Sequence, residues 1–380
     1  MKKKYIIFSI VTLVLLVTLV TCFNYFKTSN NYVEDSVNNQ TKIIKGISMN
    51  LEQTAGAGDY KTVTQSSWPT EGYKFNTELS RCENGSTLSW DDSKKAVVMN
   101  GNVSDKCYVY FDKVLTLANY VISQYTGIQG ENSLYYHDSN LANGVGDNSY
   151  RYAGASDSVN NYICLGSDAA TCPDDNLFRI IGVFGAQTKV IRAKSVGNQK
   201  WDTSSSNKWS SSSLNTYLNG TYLTSLGTLK NKIATTTWKV GGGTPANISE
   251  VVPATAYKNE VGSSASRTIV NKKIGLMYVT DYYYSASPSA WTLVGYNSSD
   301  TTKDYRVAKT INWLYLGSYE WTISCHSGTS YSAFGVGNLG YVSGYFDVST
   351  SSAVRPTFNL ESSVKYVSGS GSMSDPVRVN

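Results

Sequence analysis

Residues Asn312–Leu360 read NWLYLGSYEWTISCHSGTSYSAFGVGNLGYVSGYFDVSTSSAVRPTFNL. The stretch opens on a block bounded by Trp313 and Trp321 and closes on Val354-Arg355-Pro356-Thr357-Phe358-Asn359-Leu360. Between them, short apolar and aromatic runs are broken by Gly, Ser and Asn. Short strands joined by tight turns produce this pattern, and a solvated tail would not repeat its aromatics. The block therefore points to a β-rich module. Glu320 and Arg355, near its two ends, are read as a buried structural ion pair that aligns them.

Working upstream, Ile274–Val279 reads as a buried strand, with Thr280 or Asp281 capping a short helix through Tyr284. Ser210–Leu223 places Leu214, Tyr217, Leu218 and Tyr222 at helical spacing. Leu177–Ala186 and Lys189–Ala193 read as paired strands turning at Gly185–Thr188. Glu131–Asn161 is a long polar loop, and Thr116–Tyr125 a short helix with Thr116 as its N-cap. Further upstream, Gly46–Asp112 alternates apolar and polar residues and carries turn signals at Asn84-Gly85 and Asn100-Gly101.

The N-terminus is basic at Lys2–Lys4 and then uncharged from Tyr5 to Phe23. At the α-helical rise this run spans about 28 Å, near the thickness of a bilayer core. It is expected to cross the membrane once and hold the rest of the chain outside. A cleaved signal peptide and a lipid-bearing Cys22 are the alternatives. The expected organisation is an anchor over 1–26, a polar stalk over 27–45, a small β unit over 46–112 and a larger module over 116–380.

Composition limits the function classes. The 380-residue chain has 16% charged residues and 29 Tyr, and Lys2–Lys4 supply part of its formal charge of +5. What remains is too little to argue for nucleic-acid binding. Two histidines, His137 and His326, rule out a multi-histidine metal site within one chain. Six cysteines are present, and neither close pair has zinc-knuckle spacing. Outside the cell, disulfides Cys82–Cys107 and Cys164–Cys172 are the economical pairing, leaving Cys325 as a small side chain in the core.

No catalytic constellation emerges. Cys325 and His326 are adjacent, and neighbours on a strand point to opposite faces, which argues against a nucleophile–base pair. Asp168, Asp174 and Asp175 lack calcium-loop spacing and read as solvated carboxylates. Trp201, Trp209, Trp238, Trp291, Trp313 and Trp321 read mainly as packing residues. The Ser-, Gly- and Tyr-rich span Cys325–Ser352, beside Trp321, makes Tyr331, Tyr341, Tyr345 and Trp321 the candidate binding residues. Composition alone also fits ordinary exposed strand residues there.

The segments FRIIGVFG, WSSSSLNTYLNGTYL, KIGLMYVTDYYYSA, LYLGSYEWTIS and VRPTFNL occur in this order. On them the chain resembles a family of uncharacterised extracellular domains of low-GC Gram-positive gut bacteria. That family is distantly similar to C-type-lectin-like and formylglycine-generating-enzyme-like folds. The resemblance implies an α+β module of small antiparallel sheets, short helices and long loops. Cys325 stands without the second late cysteine those enzymes need, and the calcium-dependent lectin motifs are missing, so neither activity transfers. The expected function is a membrane-anchored extracellular binding or adhesion protein without a cofactor, contacting the bilayer through residues 5–23. Its partners would be a host glycan, a host protein or a cell-wall polymer. The alternatives are a cell-envelope enzyme acting on glycans and a structural surface-layer protein.

Overall fold

A computed structural model describes residues 46–64, 67–69, 72–262, 268–294 and 309–380, with the backbone of Tyr32–Asp35 and Thr41–Ile43. The chain divides into two units, Met1–Leu115 and Thr116–Asn380.

In the first unit, Ile47–Glu52 lies between Tyr60–Val63 and Cys107–Lys113, and Tyr73–Phe75 pairs on the far side of Cys107–Lys113. The alternation of Cys107–Lys113 sends Cys107, Val109 and Phe111 into the core. There Phe111 meets Trp68, Phe75 and Trp90. Cys82 sits directly across the ladder from Cys107, and the two form a disulfide. Thr87–Asp91 and Ala96–Asn100 form the hairpin that the turn signals predicted. Within the stretch read as a stalk, Tyr32–Asp35 pairs with Thr41–Ile43 and runs parallel to Ala96–Asn100.

The second unit is built on a nine-stranded sheet. Its main order is Ile274–Gly275, Thr357–Leu360, Gln187–Arg192, Leu177–Phe184, Tyr162–Cys164, Val377–Val379 and Tyr366–Ser368. Leu177–Phe184 is buried along almost its whole length, as its near-continuous apolar run requires of a central strand. It pairs with Gln187–Arg192 through the expected tight turn. It also takes Tyr150–Tyr152, from the segment read as a long loop, along its distal half. A five-stranded sheet runs Asn198–Lys200, Ser351–Ala353, Glu320–Cys325, Ser332–Val336 and Val342–Asp347. The second disulfide, Cys164–Cys172, closes the loop leaving Tyr162–Cys164.

These sheets correct the expected α+β, lectin-like mixed module: among the described residues the regular structure is mostly strand, and helices are few. The α-helix Pro253–Glu260 has eight residues, and the others are shorter. The reason is local. Helices this short cannot recover their nucleation cost alone and persist only where they are packed or capped. Leu117–Ser123 is capped as expected, with Asn119 N–H donating to Thr116 Oγ1 at 3.1 Å. Val279–Tyr284 starts earlier than predicted. The Tyr278 backbone N–H donates to Asp281 at 2.8 Å, so Asp281 caps from inside the first turn.

The single-pass membrane placement is likewise corrected. Among the described residues no helix is long and apolar enough to cross a membrane. Tyr5–Phe23, on which that expectation rested, and Cys22 lie outside the described residues.

Glu320 and Arg355 meet at the base of the five-stranded sheet. Arg355 Nε and Nη2 donate to the two Glu320 oxygens at 2.6 and 2.7 Å, and Nη2 also reaches the Leu314 carbonyl at 2.5 Å. Both side chains are buried, at 3% and 1% exposure. Removing only the cation, as in Arg355→Met, strands a buried carboxylate. It should cost about 3–5 kcal/mol in denaturant unfolding, while Glu320→Leu combined with Arg355→Met should recover most of the loss. In the first unit, the Cys82–Cys107 link closes a 25-residue separation. Replacing both cysteines by Ser should lower that unit's stability by about 3 kcal/mol on the chain-entropy account, read as its thermal midpoint with and without reductant.

Candidate binding sites

The four binding residues expected from sequence part company in the structure. Trp321 is buried and donates its indole N–H to the Gln199 carbonyl at 2.9 Å, so it serves the core. Tyr341 is half-buried, with its ring laid against Gly337. Tyr331 and Tyr345 are exposed at 54% and 66%. Tyr319, which the sequence reading passed over, joins them at 46%. Among the described residues these three are the exposed aromatic side chains, and all belong to or directly precede strands of the five-stranded sheet.

Two devices hold these side chains in place. Tyr319 packs edge-on against Phe346 at 5.6 Å, and Phe346 in turn meets Trp321 at 6.0 Å and Tyr341 at 6.4 Å. The rings can lie this low because the strand beneath presents glycine. A Cβ on Gly335 would sit 2.2 Å from Phe346, and one on Gly337 would sit 2.3 Å from Tyr341. The second device is Asn207. Its side-chain amide lies 2.8 Å from each of the His326, Thr329 and Ser332 carbonyls, pinning the turn that carries Tyr331. The His326 ring packs 5.2 Å from Tyr345. Cys325 directs its sulfur to the Val240 carbonyl at 3.2 Å, and His326 Nδ1 accepts from Gly328 N–H at 2.8 Å. The two neighbours thus have separate partners.

Sequence reasoning missed a second feature, a cleft of about 190 Å³ lined by Arg151, Lys189, Trp238, Tyr257, Tyr278, Asp281 and Asn359. Lys189 Nζ pairs with Asp281 at 2.5 Å and lies over the Tyr278 ring. Burial pushes the Lys189 ammonium pKa down against the pull of Asp281. Arg151 donates to Asp147 at 2.7 Å and lies over the Phe184, Tyr257 and Tyr284 rings. Burial opposes ionisation of Asp147. The Arg151 charge and hydrogen bonds from Ser149 and Tyr257 nevertheless hold its pKa down to about 2. Deeper in, Glu260 accepts from Val279 N–H at 2.8 Å and Thr280 N–H at 2.9 Å, and from the Ser324 hydroxyl. Lys189 and Arg151 each already have a carboxylate, and Lys239, which also lines the cleft, donates to the Val261 and Gly262 carbonyls at 2.7 and 3.1 Å. The signal in the sequence was a single charge set within an otherwise apolar run: Arg151 in YRYA, Lys189 in TKVI, Asp281 in VTDYYY.

The remaining candidates are paired or buried. Asp174 pairs with Lys194 and Asp175 with Arg192, so these carboxylates face cations. Trp201, Trp209, Trp238, Trp291 and Trp313 are all buried.

His137 borders the Arg151 cluster. It is fully buried between Tyr284 and Trp291, and its Nδ1 accepts from Val145 N–H at 3.4 Å. Burial, helped by the Arg151 charge, takes its pKa down to about 2. The folded protein therefore holds His137 neutral, whereas the unfolded chain protonates it near pH 6.5. Its contribution is complete above that pH and is lost as pH falls below it, by about 1.4 kcal/mol per unit. Urea unfolding at pH 7 and pH 5 should show wild type losing about 2 kcal/mol more than His137→Phe between the two conditions.

Comparison with curated proteins and with solved structures found no match. The lectin-like and formylglycine-generating-enzyme-like likeness expected from the motifs therefore has no support from a solved fold. The segment carrying Lys189, Asp281, the five-stranded sheet and the Glu320–Arg355 pair is nonetheless a recognised unit: a domain of unknown function, DUF6273, is found over residues 186–362.

Proposed function

We propose that this chain is a secreted binding module that attaches to a glycan or cell-wall polysaccharide through the exposed tyrosines of its five-stranded sheet. The observation that carries this reading is that, among the described residues, the exposed aromatics Tyr319, Tyr331 and Tyr345 all lie in or directly before strands of that one sheet. Tyrosine pairs a flat apolar ring with a hydroxyl and has only two side-chain torsions to immobilise, which suits adaptable contact with a hydroxylated polymer. The turn held by Asn207 and the rings seated on glycine reduce the ordering cost further. Two disulfides fit an oxidising environment outside the cytoplasm.

Depletion of the full-length protein from solution by insoluble peptidoglycan and by plant and host polysaccharides tests the reading. Each ring is expected to contribute about 1 kcal/mol of contact energy. The triple variant Tyr319→Ala, Tyr331→Ala, Tyr345→Ala should then bind about a hundredfold more weakly. Because all three are exposed, its unfolding free energy should stay within about 0.5 kcal/mol of wild type per site. Equal depletion of variant and wild type, or no depletion by any polymer, would sink the proposal.

A further inference from the structure

A cavity of about 580 Å³ opens at the end of the nine-stranded sheet, between the Cys164–Cys172 loop and the Ser213–Ser225 helical segment. Two polar groups line it without a protein partner: Arg192 Nε and the Tyr222 hydroxyl. Arg192 is 9% and Tyr222 6% exposed. Buried polar groups in folded proteins are nearly always hydrogen-bonded, and an exception needs an occupant or a function. Two exceptions facing one cavity point to a shared occupant.

The surroundings define its chemistry. Arg192 Nη2 already donates to Asp175, so the guanidinium charge is neutralised within the protein. The occupant has no need to be an anion. It must offer an acceptor to Arg192 Nε–H and a polar partner to the Tyr222 hydroxyl. The Asp175 side chain is 90% exposed and stands ready to accept from hydroxyls. Ser225 adds a further hydroxyl, and Tyr217, its ring 6.4 Å from that of Tyr222, adds an apolar wall. Closely spaced donors and acceptors beside aromatic rings, with no net charge to satisfy, match a neutral sugar unit.

The backbone at this place is equally unusual. Leu218–Tyr222 is a π-helical turn set inside the helical segment. Such turns are rare and concentrate at functional sites. Here the turn is fastened to the neighbouring strand, where Asn219 donates to the Ile274 carbonyl at 2.8 Å and accepts from Ile274 N–H at 3.0 Å. Tyr222 closes the turn and stands at the cavity wall. On the other side, Asn176 brackets the disulfide loop by donating to the Leu165 carbonyl at 2.7 Å, which positions the adjoining Asp175.

We infer that the cavity between Arg192, Tyr222 and Asp175 is a binding site for a single neutral sugar unit, separate from the exposed tyrosines of the five-stranded sheet. The inference rests on the reading of the chain as a glycan-binding module but uses none of the same residues, so the two can fail independently.

Isothermal titration of the full-length protein with N-acetylglucosamine, galactose and glucose supplies the test. Saturable binding of at least one sugar is expected, weakened about tenfold or more in Tyr222→Phe, which removes only the hydroxyl. Tyr222→Phe should not lower the thermal midpoint of the sugar-free protein, because that hydroxyl has no protein partner to lose. The triple tyrosine variant should bind the sugar as wild type does. Three results would overturn the inference: no sugar binds, so that the cavity holds water only; Tyr222→Phe and wild type bind equally; or binding is lost in the triple tyrosine variant and kept in Tyr222→Phe.

Discussion

Short and irregular strands leave carbonyl oxygens to which no ladder N–H donates, and in the larger unit the interior must supply donors for them. Tryptophan, arginine and asparagine side chains do this. Trp201 donates to Thr322, Trp238 to Lys272, Trp291 to Ala286, Trp313 to Tyr152 and Trp321 to Gln199, each onto a carbonyl at 2.8–3.1 Å. Arg179 spreads its guanidinium over Asn161, Ser156 and the Val159 carbonyl, with its face over the Tyr162 and Trp313 rings. The strands are short, so these side chains complete the hydrogen bonding that the ladders leave open. Each of these bonds ties a side chain of one segment to the backbone of another.

The same logic explains why buried charge in this unit is so extensively paired. Lys189, Arg151, Arg179 and Arg355 are all at most 5% exposed. An isolated ion at such depth would be prohibitive. Asp281, Asp147 and Glu320 neutralise three of them, while rings and carbonyls surround the fourth. Such pairs add little net stability over an apolar core, but breaking one is costly. Their structural role is to tie segments distant in sequence: Arg355 to Glu320, and Lys189 on the sheet to Asp281 on a helix.

Some of this was legible in the sequence. The strands at Leu177–Phe184 and Gln187–Arg192 declared themselves through apolar runs around a tight turn. Thr116 announced its helix, and the two disulfides followed from spacing and compartment. Helical spacing at Ser210–Leu223 was visible, but not the π turn inside it, because the widened turn is imposed by tertiary contacts such as Asn219 to Ile274. Trp321 and Tyr345 were indistinguishable as candidates, since alternation does not say which face of a sheet is covered. Tyr319 was passed over for the same reason. The cavity at Arg192 and Tyr222 was invisible, because its walls come from stretches that only the folded sheet brings together. The emphasis on a mixed fold came from motif resemblance; the strand content came from period-two patterning that the residues themselves carried.

The pairing of Val377–Val379 alongside Tyr162–Cys164 has a kinetic meaning. An early strand of the large sheet waits for one of the last, and Arg378 closes onto the Ser167 carbonyl 211 positions upstream. Closing so long a loop carries an entropic cost before any contact repays it, so topologies of this kind fold slowly. A growing chain would stay open on that flank until the late strand had been synthesised. The order of its strands thus postpones completion of that sheet edge until the late strand is available, and the edge at Tyr162–Cys164 stays open to other pairings in the meantime.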